Sequence, residues 1–301
     1  MKRDFLTLND VSARELHLLL KRSAELKSGA DASKCPLIGK SIGLLFEKAS
    51  TRTRVSLAVG IYQLGGQAIC MNPGEIQIGR GETVHDTAKV LSRYIDAVVI
   101  RTYSHDMLAE FASYSSIPVI NGLSDLHHPC QALADLMTIR ERKGRLKGIR
   151  VAFVGDGNNV ANSLIEAAAM TGMNFSIACP AGYEPDAGIL KKAKTSANNE
   201  IAVMRKPEEA VSDADVIYTD VWVSMGQEKD ALKKQQKFRK YQVNSKLLAL
   251  ARKDAIVLHC MPAHRGEEIT EDVFDGLQSA VFDQAENRLH TQKALLEFLL
   301  T

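Results

Sequence analysis

Short apolar runs bounded by turn residues alternate along the whole chain with stretches whose apolar residues recur at helical spacing. That alternation is the pattern of β-α-β units built around parallel sheets. Two such series are present. The first predicts strands at Ser41 to Phe46, Gln67 to Met71, Ala97 to Arg101 and Ile117 to Asn121, with helical patterns between them, such as the apolar set Val55, Ala58, Val59 and Tyr62 at i, i+3, i+4 and i+7. A long helix is expected after His128-Pro129, with Leu133, Leu136 and Met137 on one face. It runs into a charged stretch, Arg140 to Gly148, that reads as a surface turn between domains. The second series predicts strands at Ile149 to Val154, Phe175 to Cys179, Ile201 to Met204, Val216 to Thr219, Ala255 to His259 and Ala280 to Phe282. Gln284 to Thr301 is helical by pattern, with Leu295, Phe298 and Leu299 as its apolar face. The lysine-rich stretch Gly226 to Gln242 is too polar to pack by this reading and is a candidate mobile loop, with a solvated surface excursion as the plainer alternative.

The 301 residues suit two domains at ~150 residues each. Hydrophobic residues at 45% and charged residues at 25% describe an ordinary folded chain with enough apolar material for a core. Lys and Arg number 38 against 36 acidic residues, a net charge of +2, which excludes the global basic field of a nucleic-acid binder. Any anion bound here must be gripped locally. Five cysteines (Cys35, Cys70, Cys130, Cys179, Cys260) are spread out with no Cys-x-x-Cys pair, so neither a disulfide framework nor a thiolate zinc site is indicated, and a reducing cytoplasm is expected. The start, MKRDFLTLND, has no apolar core, and the longest uncharged stretch, Ala167 to Tyr183, is broken by Gly172, Asn174 and Pro180. No export or membrane segment is expected.

In open α/β sheets ligands bind beyond the carboxyl ends of the strands, and nearly all the unusual local chemistry falls there. Ser50-Thr51-Arg52-Thr53-Arg54 follows a strand and opens a helix. Hydroxyls, free backbone N–H groups and the Arg52 fork would converge on a small phosphate at the positive end of the helix dipole. Ser50 as a simple N-cap with solvated arginines is the plainer alternative. Arg101 ends a strand and His128-Pro129-Cys130-Gln131 leads into a helix; with Thr53 they are candidates to stabilise an oxyanion. Gly155-Asp156-Gly157-Asn158-Asn159-Val160 resembles a dinucleotide fingerprint but has Val160 in place of the third glycine. It also has Cys179-Pro180 where an acidic ribose-binding residue would sit, which argues against a nicotinamide cofactor. Asn159 and the helix start still suit a carboxylate. Asp220 suits an ammonium group or a turn, with Ser224 and Met225 placed to flank an aliphatic chain. His259-Cys260-Met261-Pro262 lacks a second nearby cysteine and there is no H-E-x-x-H, so no metal is expected. Adjacent strand residues face opposite sides, which disfavours a Cys260–His259 nucleophile pair and leaves Cys260 as a polar contact.

Five motifs in this order, FEKASTRT (46–53), HPCQ (128–131), DVWVSMG (220–226), HCMP (259–262) and AENR (285–288), resemble those of the ornithine carbamoyltransferases, within the aspartate/ornithine carbamoyltransferase family. The resemblance spans essentially the whole chain. It implies two α/β domains, each with a central parallel sheet flanked by helices, and a C-terminal helix that returns to the first domain. A carbamoyl-phosphate domain at 1–145, completed by 285–301, and an ornithine domain at 146–284 would then face one cleft.

The implied reaction joins carbamoyl phosphate and L-ornithine to give L-citrulline and phosphate in arginine metabolism, without metal or cofactor, in a cytoplasmic homotrimer with sites near subunit interfaces. By resemblance Ser50, Thr51, Arg52 and Thr53 bind the phosphate. Arg101 helps, as does Gln77 from a loop reaching a neighbouring subunit's site. His128, Gln131 and Arg288 would hold the carbamoyl group. Asn159, Asp220, Ser224 and Met225 match ornithine-binding positions, and Cys260 and Met261 lie beside the reacting centre. The family usually has Leu where this chain has Met261, a position that acts mainly through its backbone. Attack requires a neutral amine, although a free alkyl ammonium has a pKa of ~10.4. Cys260 with nearby positive charge would favour deprotonation, Asp220 would keep the α-ammonium charged, and the leaving phosphate can accept the proton without a covalent intermediate. Arg52, Arg101, His128 and Cys260 are therefore the catalytic candidates. The polar loop after Ser224 is placed to close over the bound amino acid.

Three rivals stand beside this expectation. Aspartate carbamoyltransferases use a lysine in the loop after the second strand, whereas no Lys lies between Lys48 and Lys89. A non-catalytic sensor of an anionic metabolite and a dehydrogenase are the others.

Overall fold

Ser41–Phe46 (β1) is buried at every residue but the first and pairs in parallel on both sides, Ser41 opposite Gln67 and Phe46 opposite Arg101. A strand flanked and covered in this way reads as a continuous apolar run, here SIGLLF. The computed structural model describes residues 2–29, 34–72, 81–223 and 231–301. In it β1 shares a four-stranded parallel sheet with β2 (Gln67–Met71), β3 (Ala97–Arg101) and β4 (Val119–Leu123), in the order β2-β1-β3-β4. Helices α1 (Ala13–Lys27), α2 (Thr51–Gln63), α3 (Val84–Leu91), α4 (His105–Tyr114) and α5 (Pro129–Lys143) accompany it. Leu45, Ile95, Val98, Ile100, Leu108, Phe111 and Val119 pack one face of the sheet. β4 begins two residues later than the sequence predicts, because Pro118 has no N–H to offer a ladder.

The second sheet has five parallel strands in the order β7-β6-β5-β8-β9: β5 (Arg150–Val154), β6 (Asn174–Ala178), β7 (Ile201–Met204), β8 (Val216–Thr219) and β9 (Ile256–His259). Around it lie α6 (Asn159–Thr171), α7 (Ala187–Ser196), α8 (Pro207–Val211), α9 (Ala231–Phe238), α10 (Ser245–Leu248) and α11 (Glu271–Phe274). The last helix, α12, runs Val281–Leu300.

Two compact units result. Unit 1 comprises residues 1–137 and 286–301, and unit 2 comprises 138–285. Both chain crossings fall inside helices, α5 and α12. The returning end of α12 is tied into unit 1 by Arg22 to Glu297, Lys27 to Asn287 at 2.7 Å, and Ser56 to Gln292 at 2.7 Å. Gly60 lets α12 approach α2 closely: a Cβ there would stand 3.1 Å from Lys293 Cγ.

Three sequence expectations are corrected. Ala280 to Phe282 is not a strand: Ser279 makes a single bridge to Val257, Ala280 N–H bonds Val257 C=O, and the apolar run then opens α12. An apolar run of three is too short for periodicity to tell a strand from a buried helix turn. The stretch 226–242 is not a loop throughout, since 231–238 form α9 and bury Lys234 and Phe238. Finally, α2 forms as predicted but its apolar stripe points outward: Val55, Val59 and Tyr62 are exposed while Thr53, Leu57, Gly60 and Ile61 are buried.

Candidate active site

Strand order decides where each unit can hold a ligand. In unit 1 the order reverses between β1 and β3, and in unit 2 between β5 and β8; crevices open beyond the carboxyl ends of such pairs. The segments that open α2, Arg101, the 155–160 loop and Asp220 follow these four strands, while His128 follows β4 and Cys260 follows β9.

In unit 1, Ser50 caps α2, its Oγ accepting from Thr53 N–H at 3.2 Å. Thr51 is exposed in the first turn and Arg52 is half-buried. Arg54 is committed elsewhere: it donates to Asn72 Oδ1 at 2.6 Å and lies 5.6 Å from the Phe46 ring centroid. Arg101, His128, Gln131 and Arg288 are all buried. Arg288 from α12 donates Nη2–H to Thr53 Oγ1 at 2.7 Å and Nη1–H to Gln131 Oε1, while Gln131 Nε2–H goes to Asp135 at 2.8 Å. One guanidinium therefore joins the first turns of α2 and α5.

Burial pushes the His128 imidazole well below its ordinary pKa, and the charges of Arg288, Arg101 and Arg52 push it further the same way. A neutral ring surrounded by guanidinium groups results, able to donate to a carbonyl without adding charge. Lys48 extends the positive set. It is buried over the Tyr103 ring, 4.1 Å from the centroid, and its pKa is lowered by burial and then by Arg101. Sequence reading missed Lys48, although it lies inside FEKASTRT; a lysine beside a phosphate-type turn was the available signal. Cys130 is inert, since burial pushes its thiol up to about 12 and Sγ donates to Asn121 C=O.

In unit 2, Asp220 is buried just past β8. Its Oδ1 accepts from Val221 N–H at 2.8 Å and from Cys260 Sγ at 2.9 Å, and its Oδ2 accepts from Asn158 Nδ2 at 2.7 Å. The thiol thus turns to Asp220. His259 is engaged in the other direction: Nδ1 accepts Met261 N–H at 2.9 Å and Nε2 faces the buried Glu268 at 3.1 Å. The bond from its N–H holds Met261 at φ +56, a region that costs a residue other than glycine about 1–2 kcal/mol.

Asn158, which sequence reading passed over for Asn159, caps α6 by accepting from the N–H groups of Val160 and Ala161. Asn159 itself is the first residue of α6 and half-buried. Gly157 packs against residues 184–185, where a Cβ would meet Pro185 N at 2.2 Å. The glycine that admits a pyrophosphate in a dinucleotide site here admits protein backbone instead. Asp220, His259 and Cys260 bring possible metal-ligand atoms within 4.8 Å of one another, as do His264, Glu267 and Glu268. In the first group those atoms already bond Asn158, Met261, Glu268 and each other. Gln77, Ser224 and Met225 lie outside the described residues.

Residues 3–141 match the family model described as aspartate/ornithine carbamoyltransferase, carbamoyl-P binding domain, and residues 147–299 match the Asp/Orn binding domain of the same family. The chain belongs to the aspartate/ornithine carbamoyltransferase family. Among its relatives in that family, an ornithine carbamoyltransferase of Syntrophus aciditrophicus is 51% identical over the full length of both chains. One of Anoxybacillus flavithermus is 54% identical over 99% of this chain and 96% of that protein. The solved ornithine carbamoyltransferase of Pyrococcus furiosus superposes with a TM-score of 0.96 at 49% identity, covering 99% of this chain and 97% of that one. The likeness makes this carbamoyltransferase-family chain an enzyme, against the sensor and dehydrogenase alternatives.

Proposed function

We propose that the enzyme transfers the carbamoyl group of carbamoyl phosphate to the side-chain amine of L-ornithine, releasing L-citrulline and phosphate. The observation that carries this reading is the neutral His128 held among Arg52, Arg101 and Arg288, with Arg288 bound to both Thr53 and Gln131. Guanidinium forks suit a phosphate dianion, and a neutral imidazole suits the carbonyl oxygen as it gains charge. Ser50, Thr51, Arg52, Thr53 and Arg101 bind the phosphate in this reading, with Gln77 contributed by a neighbouring subunit; His128, Gln131 and Arg288 hold the carbamoyl group.

The amine nitrogen attacks the carbonyl carbon, the bond from that carbon to the phosphate oxygen breaks, and phosphate leaves with the proton the amine gives up. Catalysis rests on positioning and electrostatics. Asp220, supported by neutral partners, takes the α-ammonium; Cys260 and Met261 border the side-chain nitrogen; Asn159 takes the carboxylate; Ser224 and Met225 flank the chain. Arginine metabolism in the cytoplasm is the setting we assign, and a homotrimer the assembly. The outward apolar stripe of α2, at Val55, Val59 and Tyr62, and the exposed edge strand β2 support self-association.

Initial rates with carbamoyl phosphate against ornithine, acetylornithine, succinylornithine, putrescine and aspartate test the reading. Citrulline formation is expected with ornithine, and a folded protein that makes none would end it.

A further inference from the structure

A buried ion pair lies against Asp220. Lys234, on α9, reaches Asp156 Oδ2 at 2.6 Å, and the two side chains keep only 7% and 11% of their surface exposed. The ammonium also lies 5.4 Å from the Tyr183 ring centroid and 5.7 Å from that of Phe238. Asp156 sits in the same short loop as Asn158, whose N–H bonds Asp156 C=O at 2.7 Å and whose side chain donates to Asp220 at 2.7 Å. A Cβ on Gly155 would stand 3.8 Å from Asp220 O, so the loop packs directly on the Asp220 backbone. Two carboxylates are thus neighbours. One has a cationic partner, and among the described residues the other is bonded by the Asn158 amide, the Val221 N–H and the Cys260 thiol.

We propose that the Asp156–Lys234 pair sets the charge of the amino-acid subsite, leaving Asp220 as its single uncompensated carboxylate among the described residues, so that one ammonium of a diamino acid is held and the other is free to lose its proton. This rests on ornithine being the amino-acid substrate. A subsite with two bare carboxylates would hold both amines as ammonium ions, and the reacting one would stay protonated. A subsite with a bare lysine would repel the ammonium meant for Asp220. The charge of Asp220 is felt at Asp156, where it opposes ionisation together with burial while Lys234 favours it. Of the other ionisable groups, Cys179 after β6 feels the charge of Asp156, Lys237 lies 5.1 Å from the Tyr183 ring centroid, and Cys260 and His259 stand beside Asp220. The neighbouring Arg205–Glu184 pair is neutral as a whole.

The test measures initial rates on the full-length enzyme across pH for the wild type, Asp156→Asn, Lys234→Met and the double variant. Asp156→Asn is expected to raise KM for ornithine by about tenfold, one pK unit's worth of ammonium stabilisation, with KM for carbamoyl phosphate unchanged. Lys234→Met is expected to leave ornithine binding intact or tighter and to move the acid limb of kcat toward higher pH. The charge-neutral double variant should return both properties toward the wild type. Opposite effects from the two single variants and recovery in the double would not arise from a role in folding alone. If both single variants weaken ornithine binding alike and the double is no better, or if none of the three differs from the wild type, the inference is overturned. Should a single variant fail to fold, Lys234→Arg keeps the charge and must keep the pH profile; a displaced profile would contradict the proposal. A wild-type enzyme that makes no citrulline would instead remove the ornithine reading beneath it.

Discussion

Arg288 and Thr53 meet at 2.7 Å although 235 positions separate them in sequence. The same guanidinium bonds Gln131, so a residue of the last helix fixes the side chains that open two others. Replacing Arg288 by Met should lower kcat/KM for carbamoyl phosphate by about 10²–10³-fold, the usual loss on removing one preorganised donor to a developing oxyanion. Steady-state kinetics on a variant with an unchanged circular dichroism spectrum would measure it. An undiminished rate would contradict the site.

His128 gives a pH prediction whose sign follows from its surroundings. Its pKa in the folded protein lies well below the 6.5 of the free side chain, so below that pH the unfolded chain binds a proton that the folded one refuses. The corresponding stability is present above about pH 6.5 and is lost as pH falls, at up to ~1.4 kcal/mol per pH unit. His128→Asn should flatten this slope between pH ~7 and ~5 in urea titrations. An equally steep slope in the variant would mean that the buried imidazole carries its proton.

Glu268 faces His259 in full burial and also accepts His264 N–H at 2.6 Å. Its replacement by Ala strands the imidazole and frees the turn that carries Cys260 and Met261. A cost of about 3–5 kcal/mol in stability is expected, together with a higher KM for ornithine and an unchanged KM for carbamoyl phosphate. Chemical denaturation and the two KM values would check it, and equal damage to both substrates would count against the assignment of this turn to the amino acid.

Gly157→Ala tests the loop from the opposite side. With protein backbone 2.2 Å from the added carbon, the loop or residues 184–185 must move, at about 1–3 kcal/mol. Thermal melts should show the loss. A variant as stable as the wild type would mean that this approach is looser than described.

Much of the fold is legible in the chain itself. β1, β2, β3, β7 and β8 begin and end where the apolar runs do, because each run is bounded by a charge, a glycine or a turn residue. Helix α9 was hidden because its inward positions include Lys234, which a polarity pattern counts as solvent-facing. The distant Asp156 makes that burial tolerable, and a partner 78 residues away leaves no local trace. The same limit applies to the site. Arg52, Arg101, His128 and Asp220 stand out because charges at strand ends need an explanation, while the bonds of Arg288 to Thr53 and Gln131 exist only once α12 has returned. Asn158 was within reach: an asparagine one residue before a helix is an ordinary N-cap, and the choice of Asn159 overlooked it.

That return of α12 sets an order of events during synthesis. Residues 286–301 belong to unit 1 and are made after every residue of unit 2. A nascent chain stopped at residue 285 carries all of unit 2 but lacks the guanidinium that joins α2 to α5. The cluster around His128 therefore waits on a residue made after all of unit 2, and products truncated before Arg288 cannot assemble it.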